Sequence, residues 1–212
     1  MRMLPGCILS LLLACCSLAI AGPPFPCVRA ASSKNGNFLV LPEPYFPGQQ
    51  RVSLQIFSKE IFINEHQRLS APATYWAGQS WSIVLDAGNM HNAPAPCPLP
   101  LITDDGEFLI LVHVGAAYSG AAPVLQIYRK RHPGDPLGEG QDRGLFIGEI
   151  PLNKIWAPDR VAAVAGIWTD HSPEWFSGGT FEFSSDNRQL IHKTRWGNTV
   201  RINLANASTS DK

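Results

Sequence analysis

The sequence predicts an all-β protein made of duplicated antiparallel units and a terminal hairpin, with little helix. The first observation is an internal repeat, because the stretch from Cys27 to Glu60 recurs from Cys97 to Arg131. Repeats of this size are typical of stacked β-units or helical solenoids. The second is composition, since 18 Gly and 18 Pro supply many turns and only 16% of the residues are charged. The third is that apolar runs of strand length follow a polar turn in each copy.

The repeat defines the predicted units. At an offset of 70 residues the two copies align through the first apolar run, and one extra residue then restores the match. The predicted units are 27–96, 97–178 and a partial third unit, 179–204, within a single β-rich domain at 22–206. The equivalent residues include Cys27 and Cys97, Gly36 and Gly106, Phe38 and Phe108, Leu41 and Leu111, and 54–57 and 125–128.

Each unit is predicted to open with a tight turn and to continue into a buried strand. The Asn-Gly and Asp-Gly pairs that end at Gly36 and Gly106 favour such turns, because glycine accepts a positive φ and the preceding side chain bonds its own backbone. The continuous apolar runs Phe38–Leu41 and Phe108–Val114 are typical of strands that are buried on both faces.

Further segments complete the predicted units. Val52, Leu54 and Ile56 point to one side of an alternating strand that recurs at 124–128. The other predicted strands are 61–65 with its counterpart 145–149, 82–86 with its counterpart 180–183, and a hairpin of 190–195 and 199–204. Short helical turns are predicted at 151–156 and 158–165, and the tail 207–212 is expected to be disordered.

The opening turns share the motif Ser/Thr-x-Asp/Asn-Gly/Asn-x-Phe/Leu/Gln-Leu, which begins at Ser33, Thr103 and Ser184. With the strands that follow, this motif resembles the blade hairpins of bacterial secreted β-propeller-type proteins. The resemblance implies an incomplete propeller, because two and a half units are few for a closed one. Their period of 70 to 81 residues also exceeds the usual spacing of about 40 to 50 per blade. Two sheets related by a pseudo-twofold axis are the alternative.

Residues 1–21 are predicted to be a cleaved signal peptide. Arg2 gives a positive start, an apolar core follows from Ile8, and Ala-Ile-Ala at 19–21 is a small-residue cleavage site. The mature protein is therefore expected in the periplasm or outside the cell. A lipid anchor at Cys15, in a Leu-Leu-Ala-Cys sequence, is the alternative. No other stretch is long and apolar enough to span a membrane.

Cleavage at this site leaves two cysteines, Cys27 and Cys97, at equivalent positions of the two units. In an exported protein this pair predicts one disulfide, which would bring matching points of the units together. Two buried free thiols are the alternative.

Net charge and the positions of the tryptophans argue against two classes of function, nucleic-acid or anionic-lipid binding and ligand binding on a tryptophan platform. The 17 basic and 17 acidic side chains balance, so no general field attracts nucleic acid or anionic lipid. Four of the six tryptophans recur as pairs, which favours core packing over a ligand platform. The pairs are Trp76 with Trp81 and Trp168 with Trp175.

Candidate chemical groups are few. The sequence contains no metalloprotease, P-loop or serine-elbow motif, and no cofactor is expected. Asp170, His171 and Glu174 are weak candidates for a metal site, since a site also needs ligands that folding brings from elsewhere.

The stretch 132–143 has no counterpart when the second unit is aligned with the first. Insertions in repeat proteins collect on one face and often carry the binding role, although a tolerated flexible loop is the alternative. The predicted binding loop includes Arg131, His132, Asp135, Glu139, Asp142 and Arg143.

These features predict an exported, non-catalytic binding or structural protein whose partner is an unknown protein or an envelope or extracellular ligand. The rival hypothesis is a secreted or periplasmic hydrolase or metal-dependent enzyme that uses Asp170, His171 and Glu174.

Overall fold

The computed structural model describes residues 30–42, 51–60, 79–86, 98–113, 120–121, 123–136, 144–164 and 175–211. These residues form three antiparallel four-stranded sheets, in each of which the strands pair in chain order. Sheet A contains β1 (Ala31–Ser32), β2 (Phe38–Pro42), β3 (Arg51–Ser58) and β4 (Trp81–Asp86). Sheet B contains β5 (Leu99–Ile102), β6 (Phe108–Val112), β7 (Pro123–Lys130) and β8 (Gly144–Pro151). Sheet C contains β9 (Thr180–Phe183), β10 (Gln189–Lys193), β11 (Thr199–Asn203) and β12 (Ser208–Asp211).

Among the described residues helix occurs only in short pieces, and the predicted all-β class is confirmed. A 3-10 turn (Leu152–Lys154) and α1 (Pro158–Val164) follow β8, close to the predicted helical turns. The described residues form three sheets, and not two as in one of the predicted arrangements. Within the described part of the chain, no helix is long and apolar enough to cross a bilayer.

The strand registers confirm the repeat that the alignment predicted. β2 pairs with β3 as β6 pairs with β7, so residues related by the offset meet related partners. The matched pairs are Leu39 with Phe57 and Leu109 with Tyr128, and Val40 with Ile56 and Ile110 with Ile127.

A turn closed by side chains precedes β2, β6 and β10. In the first copy the Ser33 hydroxyl donates to Asn35 Oδ1 at 2.7 Å, and the Phe38 N–H donates to Ser33 Oγ at 3.0 Å. The hydroxyl-to-carboxylate bond is 2.6 Å long in both of the other copies, which are Thr103 with Asp105 and Ser184 with Asp186. The motif therefore closes the turn that leads into the second strand of each sheet.

Gly106 illustrates why one turn position tolerates little but glycine. Its φ is +68°, and a Cβ at this residue would lie 2.3 Å from Cε1 of Phe38 in sheet A. The turn of sheet B therefore approaches sheet A closely because no side chain intervenes. Two further bonds hold the two sheets together here, from Trp81 Nε1 to the Gly106 carbonyl at 2.9 Å and from the Asn35 N–H to Asp104 Oδ1 at 2.8 Å.

Sheet B lies between the other two sheets, and β6 contributes to both cores. Leu109 and Leu111 pack with the inner face of sheet A, in a cluster that includes Val40, Ile56 and Trp81. The alternate β6 residues pack with the inner face of sheet C, in the cluster that contains Phe108, Ile110, Val112, Leu190, Val200 and Ile202. The continuous apolar run of β6 is thus buried on both faces, as predicted.

The outer face of sheet C is polar. The cross-strand pairs place Ile191 opposite Glu182 and Arg201, on the face away from Leu190 and the core. The residues that share this face are Thr180, Glu182, Gln189, Ile191, Lys193, Thr199, Arg201, Asn203, Ser208 and Ser210. A polar outer face is typical of the terminal unit in a stack of repeats.

Three strand assignments differ from the prediction. β4 pairs with β3 as β8 pairs with β7, so 82–86 corresponds to β8, whereas 180–183 forms the first strand of sheet C. Residues 208–211, expected in a disordered tail, pair with β11 as its fourth strand. Short strands of similar composition do not reveal which neighbour they join, and an edge strand needs few apolar side chains. The predicted strand 61–65 lies outside the described residues.

Candidate functional site

Several predicted functional residues fall outside the described part of the chain. These are the signal peptide 1–21 with Cys15, the pair Cys27 and Cys97, the metal candidates Asp170, His171 and Glu174, and the loop residues Glu139, Asp142 and Arg143. Among the described residues, no three His, Cys, Asp or Glu side chains converge to hold a metal ion. Arg131, His132 and Asp135 are described and can be located.

Asp135 organises the start of the stretch 132–143. Arg129 Nη2 donates to its two carboxylate oxygens at 2.7 and 2.8 Å, and the His132 N–H donates to Oδ2 at 2.7 Å. The His132 N–H, followed by Arg129, holds the pKa of the Asp135 carboxyl below its ordinary value against the effect of desolvation. Asp135 therefore acts as the acceptor that closes this turn.

Arg131 and His132 are bonded within the same end of sheet B. Arg131 donates to the carbonyl of Gly144 at 3.0 Å and also to that of Pro136. His132 Nε2 pairs with the Glu107 carboxylate. The corresponding connection in sheet A, 59–80, is longer than 131–143 in sheet B, so this stretch is not an insertion relative to sheet A. The predicted counterpart of β8 is 61–65. In the structure β4 is the equivalent strand, because it pairs with β3 as β8 pairs with β7.

A cleft lies at the opposite end of sheets B and C. One wall comes from the segment that follows β8, and the other from the hairpin that joins β10 to β11. Its volume is about 460 Å³, which is within the range of ligand-binding pockets. The lining residues are Asn153, Lys154, Ile155, Trp156, Ala157, Pro158, Asp159, Arg160, Thr194, Trp196, Asn198, Thr199 and Val200.

The hairpin tip fixes one wall of the cleft. The Asn198 N–H donates to Thr194 Oγ1 at 3.1 Å, and the Gly197 N–H donates to the Thr194 carbonyl at 2.9 Å. Gly197 adopts a φ of +87°, which glycine accepts without strain. This turn places Arg195 and Trp196 at the tip.

The 3-10 turn fixes the other wall. The N–H groups of Ile155 and Trp156 donate to the carbonyl of Leu152, at 2.9 and 2.8 Å. Trp156 is buried, and its ring meets that of Trp196 edge to face with the centroids 4.7 Å apart. The same ring lies 6.4 Å from that of the buried Trp175. The wall therefore rests on a packed aromatic cluster and is rigid.

Two arginines lie on these aromatic rings. The guanidinium carbon of Arg195 is 4.5 Å from the centroid of Trp196 and 5.3 Å from that of Trp156. The guanidinium carbon of Arg160 is 5.2 Å from the centroid of Trp196. Stacking holds the plane of a guanidinium and leaves N–H groups at its edge available to acceptors.

The cleft carries an excess of positive charge. Arg160 has a carboxylate neighbour, Asp159, at 3.6 Å, and both side chains are at least half exposed. Across the described residues, neither Arg195 nor Lys154 forms an ion pair, and both are exposed. Such a surface favours an anionic partner.

Two histidines whose pKa values are lowered lie behind the aromatic cluster. Burial lowers the pKa of His113, against the hydrogen bond between its Nε2 and Gln126 Oε1 at 2.9 Å. Burial likewise lowers the pKa of His192, whose Nδ1 donates to the Thr180 carbonyl at 3.0 Å. Trp175 contacts both, since its Nε1 donates to the His113 carbonyl and its ring packs on His192. These groups support the cluster from behind.

The described members of the recurring tryptophan pairs, Trp81 and Trp175, are buried as predicted. The cleft was not predicted from the sequence. The sequence feature that could have indicated it is the two tryptophans that do not recur, Trp156 and Trp196. Trp196 follows an arginine at a predicted hairpin tip.

Comparisons with known proteins assign no family to this chain. No protein family model matches the chain, and no curated protein matches it either. A solved structure from Bacteroides fragilis, assigned as a 6-phosphogluconolactonase, is similar over 86% of this chain at 10% identity and a TM-score of 0.35. The chain spans 36% of that structure's length. A similarity at this level establishes neither a shared fold nor a shared activity.

Proposed function

We propose that this chain is an exported, non-catalytic binding protein that holds its partner in the cleft between the 3-10 turn and the β10–β11 hairpin. The observation that carries the proposal is the placement of Arg160 and Arg195 on the ring of Trp196. Tryptophan and arginine are the residue types that contribute most to binding at interfaces.

The cleft is a better candidate for the contact surface than the start of 132–143. Arg129, His132 and Asp135 satisfy one another, and Arg131 is bonded to backbone carbonyls. Breaking such bonds to reach a partner costs free energy. At the cleft, Arg195 is already ordered by its aromatic contacts, so binding orders little more.

The binding role is tested by capture from an envelope fraction and from culture medium. The immobilised bait is the full chain, compared with Trp196→Ala, with Arg195→Ala and with a deletion of 132–143 in which an inserted Asn-Gly turn rejoins β7 to β8. We expect the unchanged chain and the deletion to retain one protein or ligand that both point variants lose. Retention by the point variants and loss by the deletion would assign binding to the stretch 132–143 instead.

The export part of the proposal rests on residues 1–21 and is tested separately. Intact mass spectrometry of the protein purified from its native cells is expected to give a chain that begins at Gly22, with two hydrogens fewer than the form with free Cys27 and Cys97. A retained leader, or a lipid mass on Cys15, would contradict that prediction.

A further inference from the structure

On the basis of this proposed binding role, we propose that the partner presents an acidic polypeptide segment, whose Asp or Glu carboxylates bind Arg160 in the cleft and Arg195 on the rings of Trp156 and Trp196 that line it. The charge of the cleft supports this choice. Lys154, Arg160 and Arg195 face it or lie on its lining rings, against the single carboxylate of Asp159. Because the chain as a whole is neutral, this excess is a local feature.

The two guanidiniums suit carboxylates on one extended chain. Both lie on the ring of Trp196, with distances of 5.2 and 4.5 Å to its centroid. Alternate side chains on one face of an extended peptide are about 7 Å apart. Acidic residues at positions i and i+2 of such a peptide present two carboxylates on one face, and the planar N–H edge of arginine matches a carboxylate.

The rest of the lining suits a peptide backbone. Asn153 and Asn198 are exposed lining residues, and a side-chain amide both donates and accepts, as a peptide group requires. A lone oxyanion would occupy a small part of a cleft of about 460 Å³. An acidic sugar would stack on an aromatic face, but Arg160 and Arg195 already lie over the ring of Trp196.

Calorimetric titration of the full chain tests this inference. The probe is an end-blocked peptide that contains Glu-Ser-Glu-Ser-Glu, and its matched control contains Gln-Ser-Gln-Ser-Gln. We expect the glutamate peptide to bind at least roughly tenfold more tightly than the glutamine peptide, and rising salt to weaken it. Equal binding of the two peptides would overturn the proposal.

Variants locate the contact. Arg160→Ala and Arg195→Ala are each expected to weaken binding of the glutamate peptide roughly tenfold or more, and Arg195→Lys to recover part of the loss. The matched control is Arg188→Ala, since Arg188 is also an exposed arginine over a ring, that of Phe108, but precedes β10 at the turn end of sheet C. Arg188→Ala is expected to bind as the unchanged chain does, whereas an equal loss in all three alanine variants would contradict a cleft site.

Two further ligands separate this inference from the proposed function. Inorganic phosphate and polygalacturonate are titrated in the same way, and tighter binding of either one than of the glutamate peptide would overturn the inference. If the cleft variants lose a captured partner but the glutamate peptide does not bind, the binding role stands and the acidic peptide does not. If the cleft variants also keep the captured partner, both proposals fail.

Discussion

Sheets B and C begin with the same turn motif and pair their strands in the same way, yet the equivalent face is buried in sheet B and faces solvent in sheet C. Ile110 of β6 is completely buried between the two sheets, whereas its counterpart Ile191 of β10 lies among polar neighbours on the outer face of sheet C. Leu111 is likewise replaced by His192 in β10. The repeat sets turns and strand pairing, and the neighbouring sheet decides which face becomes core.

The same pair of sheets differs in how the second and third strands are joined. In sheet C a short tip between Lys193 and Thr199 joins β10 to β11, whereas in sheet B a longer segment separates Val112 from Pro123. The short tip places Arg195 and Trp196 beside the segment that leaves β8. The cleft lies between this tip and the segment that follows β8.

The largest difference is expected in the core. Ile110→Ala should lower the free energy of unfolding by about 2–5 kcal/mol, because it leaves a cavity among close-packed side chains. Ile191→Ala at the equivalent position should cost less than about 1 kcal/mol. Urea unfolding of the two variants measures this, and equal losses would show that the outer face of sheet C is covered.

The next difference concerns the opening turns. Thr103→Val should cost about 1–3 kcal/mol, since it leaves the buried Phe108 N–H without its acceptor at 3.0 Å. Ser184→Ala removes the matching bond to the Gln189 N–H, at 2.9 Å in a more exposed turn, and should cost about 0.5–1 kcal/mol. Thermal unfolding ranks the two variants, and a larger loss for Ser184→Ala would reverse the burial order described for the sheets.

A smaller difference is expected in the response to pH. Burial lowers the pKa of His192 below its ordinary value of 6.5. As the pH falls through 6.5, His192 takes up a proton in the unfolded chain before it does so in the folded chain. The stability that neutral His192 provides is therefore complete above pH 6.5 and is lost as the pH falls below it.

His192→Leu, which copies Leu111 of sheet B, should therefore flatten the loss of stability between about pH 8 and pH 5. His113 has its pKa lowered in the same direction, so part of the slope should remain. Unfolding in urea across this range gives the two slopes, and an equal or steeper slope in the variant would contradict the lowered pKa of the buried His192.

The smallest effect is expected for the cleft arginines. Arg195→Ala should change the free energy of unfolding by no more than about 1 kcal/mol, because the side chain is exposed and its contacts are with ring faces. Differential scanning calorimetry measures this change. A large loss of stability would mean that Arg195 supports the fold and is not held ready for a partner.

The sequence predicted the elements of the fold better than their assembly. The Asn-Gly and Asp-Gly turns, the apolar run of β6 and the register of β7 followed from local pattern and from the offset of the repeat. The placement of 82–86 and 180–183 did not, because a short apolar strand does not specify its neighbour. The propeller-type resemblance and the pairing of Cys27 with Cys97 stay predictions.

The candidate site could be predicted only in part. The charged residues of 131–135 were identified, but the sequence does not show that Arg129 and Asp135 satisfy each other. The cleft joins residues from 153–160 with residues from 194–200, and only folding brings these two segments together. The only feature of the sequence that indicated the cleft was the pair of tryptophans outside the recurring pairs, Trp156 and Trp196.

Amide hydrogen exchange measures directly whether a partner binds at the cleft or at the start of 132–143. With the glutamate peptide bound, we expect exchange to slow at 153–160 and 194–198, while 132–136 at the other end of sheet B exchange as before. Slower exchange at 132–136 with no change in the two cleft segments would contradict the account.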